Sequence, residues 1–241
     1  MFEKLGYSLG FRGGGMRTNQ ELVNYLRAYE QLRSPEVIAA FESVDRAFFL
    51  PEDLQEQAYL DMALPTLHGQ TISAPSVVAL MTEALLPKRG QKLLEVGTGS
   101  GYQSALLAHA IGPKGSLTTI ERFAELSSSA QKTIKKYYPD LFKRITFLVG
   151  DGSVGYKKSA PFDGILVTCG APTVPKSLFA QLKEGGRLVI PLGGPYAQDL
   201  ALVRKVKGKM VSTLLFPVMF VPLVGAEGFA PPKPSERRDT G

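Results

Sequence analysis

The sequence predicts an α/β domain organised around a mostly parallel, seven-stranded sheet. Three observations carry this. From residue 91 onward, short apolar runs alternate with helical patterns, the rhythm of repeated βαβ units. Leu93, Leu94 and Val96 form one such run, as expected of a strand buried on both faces of a parallel sheet. That run passes at once into Gly97-Thr98-Gly99-Ser100-Gly101, and a helical stretch follows from Tyr102 to Ala110.

Each element has its own justification. Leu22, Tyr25, Leu26 and Tyr29 recur at three- and four-residue steps, which predicts an amphipathic helix over 20–32. Ser34-Pro35 supplies a cap and a helix-compatible proline for a second helix, EVIAAFESV. Residues 46–65 read as exposed and rich in turns. TLHGQTISAP (66–75) is a polar loop, and helical spacing resumes over 76–86. Beyond the glycine loop, SLTTIE (116–121) is the second strand and the stretch 123–138 a helix. ITFLVGD (145–151) and FDGILVTCG (162–170) are the third and fourth strands, 174–182 a helix, and GRLVIPLG (186–193) the fifth strand. Two more strands flank Gly208, as late antiparallel strands at a sheet edge. The resulting division is a flexible glycine-rich extension at 1–17, one domain over 18–226, and a proline-rich, charged tail at 227–241. Within the domain, 18–90 holds the early helices and the polar loop and 91–226 the sheet.

Composition narrows the function classes. A chain of 241 residues with 44% apolar residues can bury a large core and is not disordered throughout. The apolar stretch at 214–226 contains two prolines and is too short to span a bilayer, and the N-terminus lacks the apolar region of a secretory signal. One cysteine excludes an intrachain disulfide, and two histidines give no metal cluster. The expectation is a soluble cytoplasmic protein without a metal. The net charge of +6 is unevenly spread. Residues 35–90 carry three basic and eight acidic side chains, whereas 131–209 carry fourteen and five. Such a basic half is either a solvated lysine-rich surface or an attractor for nucleic acid or an acidic peptide.

The glycine loop points to a nucleotide-type cofactor. Glycines between strand and helix allow a tight turn and close approach of a ligand, and the helix N-terminus presents free N–H groups. A dinucleotide fingerprint requires G-x-G-x-x-G, but its third glycine position is Tyr102 here. Glu95, just ahead of the loop, would oppose a pyrophosphate and suits a cofactor with a cationic end. S-adenosylmethionine, with an ammonium and a sulfonium, is therefore favoured over NAD(P); a ligand-free turn is the plain alternative. Ligands of open parallel sheets lie beyond the carboxyl ends of the strands. Glu121, 24 residues after Gly97, ends the second strand, where a carboxylate can accept from both ribose hydroxyls. Asp151-Gly152 ends the third, where a short side chain and open backbone can hold an adenine edge. Each acid taken singly also reads as a solvated strand end. The TLHGQTISAP loop reads either as a substrate-facing wall or as a capping loop in which Ser73 or Ser76 binds helix N–H groups.

The chain resembles the protein-L-isoaspartate (D-aspartate) O-methyltransferases over roughly residues 20–225. The resemblance rests on HGQTISAP (68–75), LLEVGTGSGYQSALLA (93–108), VGDGSVGY (149–156), APFDGILVTCGAP (160–172), LKEGGRLVIPLG (182–193) and FVPLVG (220–225). It implies a Rossmann-like class I S-adenosylmethionine-dependent methyltransferase fold with an N-terminal helical cap. It also implies methyl transfer in damaged proteins to the free α-carboxyl of L-isoaspartyl residues and, as the family's name has it, to D-aspartyl residues. Ser73 falls on the family's active-site serine, and Thr71 and Ile72 beside it fall on cofactor-binding positions. Glu95, Gly97, Thr98, Gly99, Glu121, Asp151 and Gly152 fall on its cofactor positions. Thr168-Cys169-Gly170 stands where the family often has alanines, and Ser76-Val77-Val78 where some members have a histidine. The N-terminal extension and the tail have no counterpart.

The implied chemistry suits a site poor in titratable groups. A carboxylate with a reference pKa near ~4 is already a nucleophile at neutral pH, so no general base is required. The protein must partly desolvate it and hold one oxygen roughly 3 Å from the methyl group, in line. Ser73 would orient that oxygen. The alternative is an RNA or DNA methyltransferase, favoured by the basic second half. Cytosine chemistry would need a nucleophilic cysteine, for which Cys169 is the candidate; the plainer reading of Cys169 is a small buried thiol filling a strand end.

Overall fold

A computed structural model describes residues 15–231. The extension expected at 1–17 and the tail at 227–241 thus lie outside the described residues, apart from 15–17 and 227–231. The seven expected strands are β1 (Lys92–Val96), β2 (Ser116–Glu121), β3 (Ile145–Val149), β4 (Phe162–Val167), β5 (Leu182–Gly193), β6 (Gln198–Val206) and β7 (Lys209–Val218). They form one sheet in the order β3-β2-β1-β4-β5-β6-β7. The first five in that order pair in parallel, and β6 and β7 add on antiparallel. β6 and β7 meet at Lys207 and Gly208, both at positive φ, the backbone of a tight hairpin turn. The strand order reverses between β1 and β4, which opens a crevice at the carboxyl ends there.

The period-2 alternation of β1 divides the core. Leu93 packs with α1 (Asn19–Ala28), α2 (Pro35–Ser43), α3 (Pro75–Leu85) and α4 (Tyr102–Ala110) on one face. Leu94 and Val96 pack on the other, with Ile120, Ile165 and Val167 and with Leu178 of α7 (Lys176–Gln181). α5 (Ala124–Tyr137) seats on the glycine loop, and the short α6 (Pro139–Phe142) follows it.

Several local expectations give way to tertiary partners. Ser34 does not cap α2; its hydroxyl donates to Glu83 Oε2 at 2.6 Å, and the Arg33 and Ser34 N–H groups bind Oε1. A buried carboxylate recruits every nearby donor, because leaving it unpaired is costly. The cap at the start of the cap region is instead Thr18, in a reciprocal capping box with Glu21. Neither Ser73 nor Ser76 caps α3; the Ser76 N–H donates to Asp61 Oδ1 at 2.8 Å. Residues 46–65 are turn-rich but not wholly exposed. The 3₁₀ helix Arg46–Phe49 buries Arg46 and Phe49, and Leu50 and Ala58, just past it and past a second 3₁₀ helix, Glu52–Gln57, are buried too. α1 stops at Ala28, short of the expected end at residue 32.

Candidate active site

The cavity at the β1/β4 switch point is lined by the glycine loop, the exits of β2, β3 and β4, the polar loop and a C-terminal strap. Gly97, Gly99 and Gly101 all have positive φ (96°, 53° and 89°), so the loop turns in a conformation that side chains with a Cβ resist. The need differs along the loop. A Cβ on Gly97 would lie 2.2 Å from Thr168 Oγ1, and one on Gly101 would lie 2.9 Å from Ala130 Cβ of α5. A Cβ on Gly99 would meet nothing within 4 Å, because it would project into open space. Gly97 and Gly99 line the cavity with Val96, Ile120 and Leu223, a slot with apolar sides and a bare peptide wall.

Glu121 provides the charge. Its side chain is buried, Oε2 accepts from Gly99 N and Oε1 from Phe123 N, each at 3.0 Å. A carboxylate has about four acceptor directions, so two bonds to the backbone fix its orientation and leave others for a ligand. Gly150 and Gly152 line the third strand's exit. Gly152 is needed there because a Cβ would lie 2.4 Å from Val96 Cγ1.

Asp151 itself does not line the cavity. Burial acts to raise its pKa, but bonds from Ala226 N at 2.7 Å and from Ser153 N and Oγ at 2.8 and 2.6 Å outweigh it and hold the carboxyl low. Asp151 thereby clamps the C-terminal strap, whose residues Val221, Pro222, Leu223 and Val224 close another wall. Gly225 lets the strap approach: a Cβ there would fall 2.0 Å from Asp151 Oδ1. Composition and spacing did not mark this strap, although FVPLVG was among the segments of the resemblance.

Glu95 is also turned away. It lies on the face of β1 opposite Val96, where Oε2 accepts from Thr119 Oγ1 at 2.7 Å and from Ser104 Oγ, while Oε1 has no partner. Burial pushes its pKa up to about 8, against the pull of those two hydroxyls, so at neutral pH it is mostly uncharged. Thr98 is buried beside it, its hydroxyl 2.7 Å from that of Thr119. This polar knot lies behind the loop and stiffens it.

The fourth wall is the polar loop. Gln70 and Thr71 line the cavity, and Ile72 is buried behind them. Thr71 and Ile72 pair with Pro65 and Leu64 in a two-residue ladder. His68 stacks parallel on Phe123 at 4.8 Å and its Nε2 meets the Glu125 carboxyl, which ties the loop to the exit of β2. Ser73 follows, half-buried, two residues beyond Thr71. Its hydroxyl has no partner among the described residues, while its carbonyl accepts from Arg46 Nη1 at 2.7 Å. Cys169 and Thr168 line the cavity at the end of β4. Burial pushes the Cys169 thiol well above its ordinary range, the Glu121 charge adds to this, and Arg122 opposes it weakly.

Sheet order, glycine loop and strand-end acid together define a class I S-adenosylmethionine-dependent methyltransferase. The profile of the protein-L-isoaspartate (D-aspartate) O-methyltransferases matches residues 16–228, and the chain belongs to that family. A protein-L-isoaspartate O-methyltransferase from Methanopyrus kandleri is 47% identical over 218 residues, covering 90% of this chain and 96% of that one. Another from Fervidobacterium nodosum is 47% identical over 190 residues, covering 79% and 94%. Among solved structures, a putative Plasmodium falciparum protein-L-isoaspartate O-methyltransferase in complex with S-adenosyl-L-homocysteine superposes with a TM-score of 0.78. It is 27% identical, over 87% of this chain and 99% of that one.

Proposed function

We propose that the chain transfers a methyl group from S-adenosyl-L-methionine to the free α-carboxyl of L-isoaspartyl residues in damaged proteins, the first step of their repair. D-aspartyl residues are the second substrate class that the family name carries. The observation that carries this reading is the cavity itself. It joins a bare glycine wall and an oriented buried carboxylate to the polar loop at Gln70 and Thr71, with Ser73 two residues farther along that loop and outside the lining, and no histidine is among the lining residues. The residues fit the cofactor: Gly97, Gly99, Gly150 and Gly152 leave room for it, and Glu121 has acceptor directions to spare for vicinal hydroxyls. Thr71 lines the same space. Ile72, Thr98, Glu95 and Asp151 support these walls from behind. When bound, the cofactor supplies an electrophilic methyl group. Ser73 donates to one carboxylate oxygen and sets its direction, and the half-buried loop strips part of its water.

In this reading residues 18–90 cap the site and present Ser73, and 91–226 hold the cofactor. The protein is cytoplasmic and acts on polypeptide rather than nucleic acid. No helix among the described residues is long and apolar enough to cross a membrane. The nucleic-acid alternative through Cys169 needs a thiolate, and the surroundings of Cys169 disfavour one. Cys169→Ser should keep methyl transfer within roughly threefold of wild type; a hundredfold loss in a folded variant would revive that chemistry. The decisive assay offers tritiated S-adenosylmethionine with an isoaspartyl peptide, its aspartyl twin and bulk RNA. Base-labile label should enter the isoaspartyl peptide alone. Label in RNA, or equal label in both peptides, would overturn the assignment.

A further inference from the structure

Arg46 is a cation buried beneath the polar loop, behind Ser73. Its side chain is fully buried, and no carboxylate among the described residues lies within 4 Å of it. It lies over the Tyr102 ring at 5.6 Å, just past the glycine loop. Its other contacts are two carbonyls, Ser73 O at 2.7 Å and Met62 O at 3.3 Å, and its Nε has no partner. Burial lowers its pKa only to about 10, so the guanidinium stays charged at neutral pH.

The bond to Ser73 O orients a peptide plane. A trans peptide points its N–H opposite to its C=O, so the Ala74 N–H is turned away from Arg46. That N–H has no acceptor among the described residues. Ala74 is the N-cap residue of α3, at the positive end of an 11-residue helix. Two donors therefore stand on adjacent residues without partners, the Ser73 hydroxyl and the Ala74 N–H. A carboxylate has two oxygens, and a single hydroxyl would leave it free to pivot.

We propose that Arg46 is a positioning residue of the carboxyl site: by holding the Ser73 carbonyl it presents the Ala74 N–H as a second donor to the substrate carboxylate. This rests on the reading of Ser73 given above. The buried positive charge, which has no ion pair within 4 Å and only the more distant Asp61 as a protein anion, adds attraction for the incoming carboxylate through the same peptide.

Ala74→Pro deletes that N–H and little else, since φ of −54° suits proline and ψ of 139° suits the residue before Pro75. With turnover counted per S-adenosylhomocysteine-binding site, kcat on an isoaspartyl peptide should fall ~10- to 100-fold. Cofactor-product affinity should stay within about twofold, and KM should change less than kcat. Arg46→Lys should lower kcat ~5- to 50-fold, because an ammonium lacks the fork that grips two carbonyls. In the Ala74→Pro background the same change should cost less than about twofold, since the group it positions is gone. Wild-type kcat in Ala74→Pro, or losses that simply multiply in the double variant, would overturn the proposal. Should Ala74→Pro leave no binding-competent protein, Arg46→Lys decides, and an unchanged kcat there overturns it. Ser73→Ala measured alongside separates the two readings. If it is impaired while Ala74→Pro is not, only this inference falls; if it turns over normally, the reading of Ser73 falls.

Discussion

Ser73 and Glu121 are oriented through backbone groups rather than through other side chains, though only Glu121 lines the cavity. Ser73 is fixed through its carbonyl, which leaves its hydroxyl without a partner among the described residues. Ser73→Ala should lower turnover ~10- to 1000-fold, about 1.4–4 kcal/mol of barrier, with cofactor affinity unchanged. Ser73→Thr should keep part of the rate. Steady-state kinetics beside calorimetric titration with S-adenosylhomocysteine checks this, and a wild-type rate would reduce Ser73 to a loop residue. Glu121 is held by Gly99 N and Phe123 N, so it presents a carboxylate that is already oriented. Glu121→Ala should weaken S-adenosylhomocysteine binding by ~1–3 kcal/mol, from lost charge-assisted bonds and a loosened loop. An unchanged dissociation constant would move the hydroxyl-binding site elsewhere. Arg46 was the residue that sequence reasoning missed: inside RAFFLPEDL it looks like an exposed charge, and only burial reveals otherwise.

The glycine loop is the element whose residues separate stability from binding. Gly97→Ala sets a Cβ 2.2 Å from Thr168 Oγ1, the atom that donates to Gly97 O at 2.7 Å, so strand and loop must part. Gly99→Ala meets nothing, and its cost is a left-handed backbone of ~1 kcal/mol plus a methyl group in the cavity. Thermal unfolding should therefore show Gly97→Ala as the more destabilised, while Gly99→Ala loses cofactor affinity out of proportion to its melting shift. Equal behaviour of the two in both assays would contradict the geometry. The loop and all seven strands were legible because apolar runs and glycines are local signals. The helix caps were less so. Glu83 and Asp61 reach their N–H groups from 49 and 15 residues away, and no local pattern records such a partner.

At the scale of the molecule, Glu95 couples stability to pH. Its pKa rises on folding from an ordinary 4.5 to about 8, chiefly through burial. A group whose pKa is raised in the folded state contributes stability below its unfolded value and loses it as pH climbs through the folded one. The wild type should thus lose on the order of a few kcal/mol between pH 4.5 and 8 from this group. Glu95→Gln, which keeps the acceptor for Ser104 and Thr119, should match it near pH 5 and surpass it by pH 8.5. Denaturant midpoints of both proteins across that range test this, and parallel curves would assign the titration to another group.

The sequence by itself determined the α/β class, the strand count, the glycine loop and the strand-end acid at Glu121, because periodicity and turn chemistry act between near neighbours. The TIS segment with Ser73 was legible only through its resemblance to a family. Tertiary structure alone decided which way each polar side chain faces. Glu95 lies inside its strand just ahead of the loop and Asp151 at the end of its own, yet one turns behind the loop to meet Thr119 and the other clamps a strap about 75 residues on. A strand end specifies where a side chain starts; its direction follows from which distant donors can satisfy a buried carboxyl, and that is known only once the chain has packed.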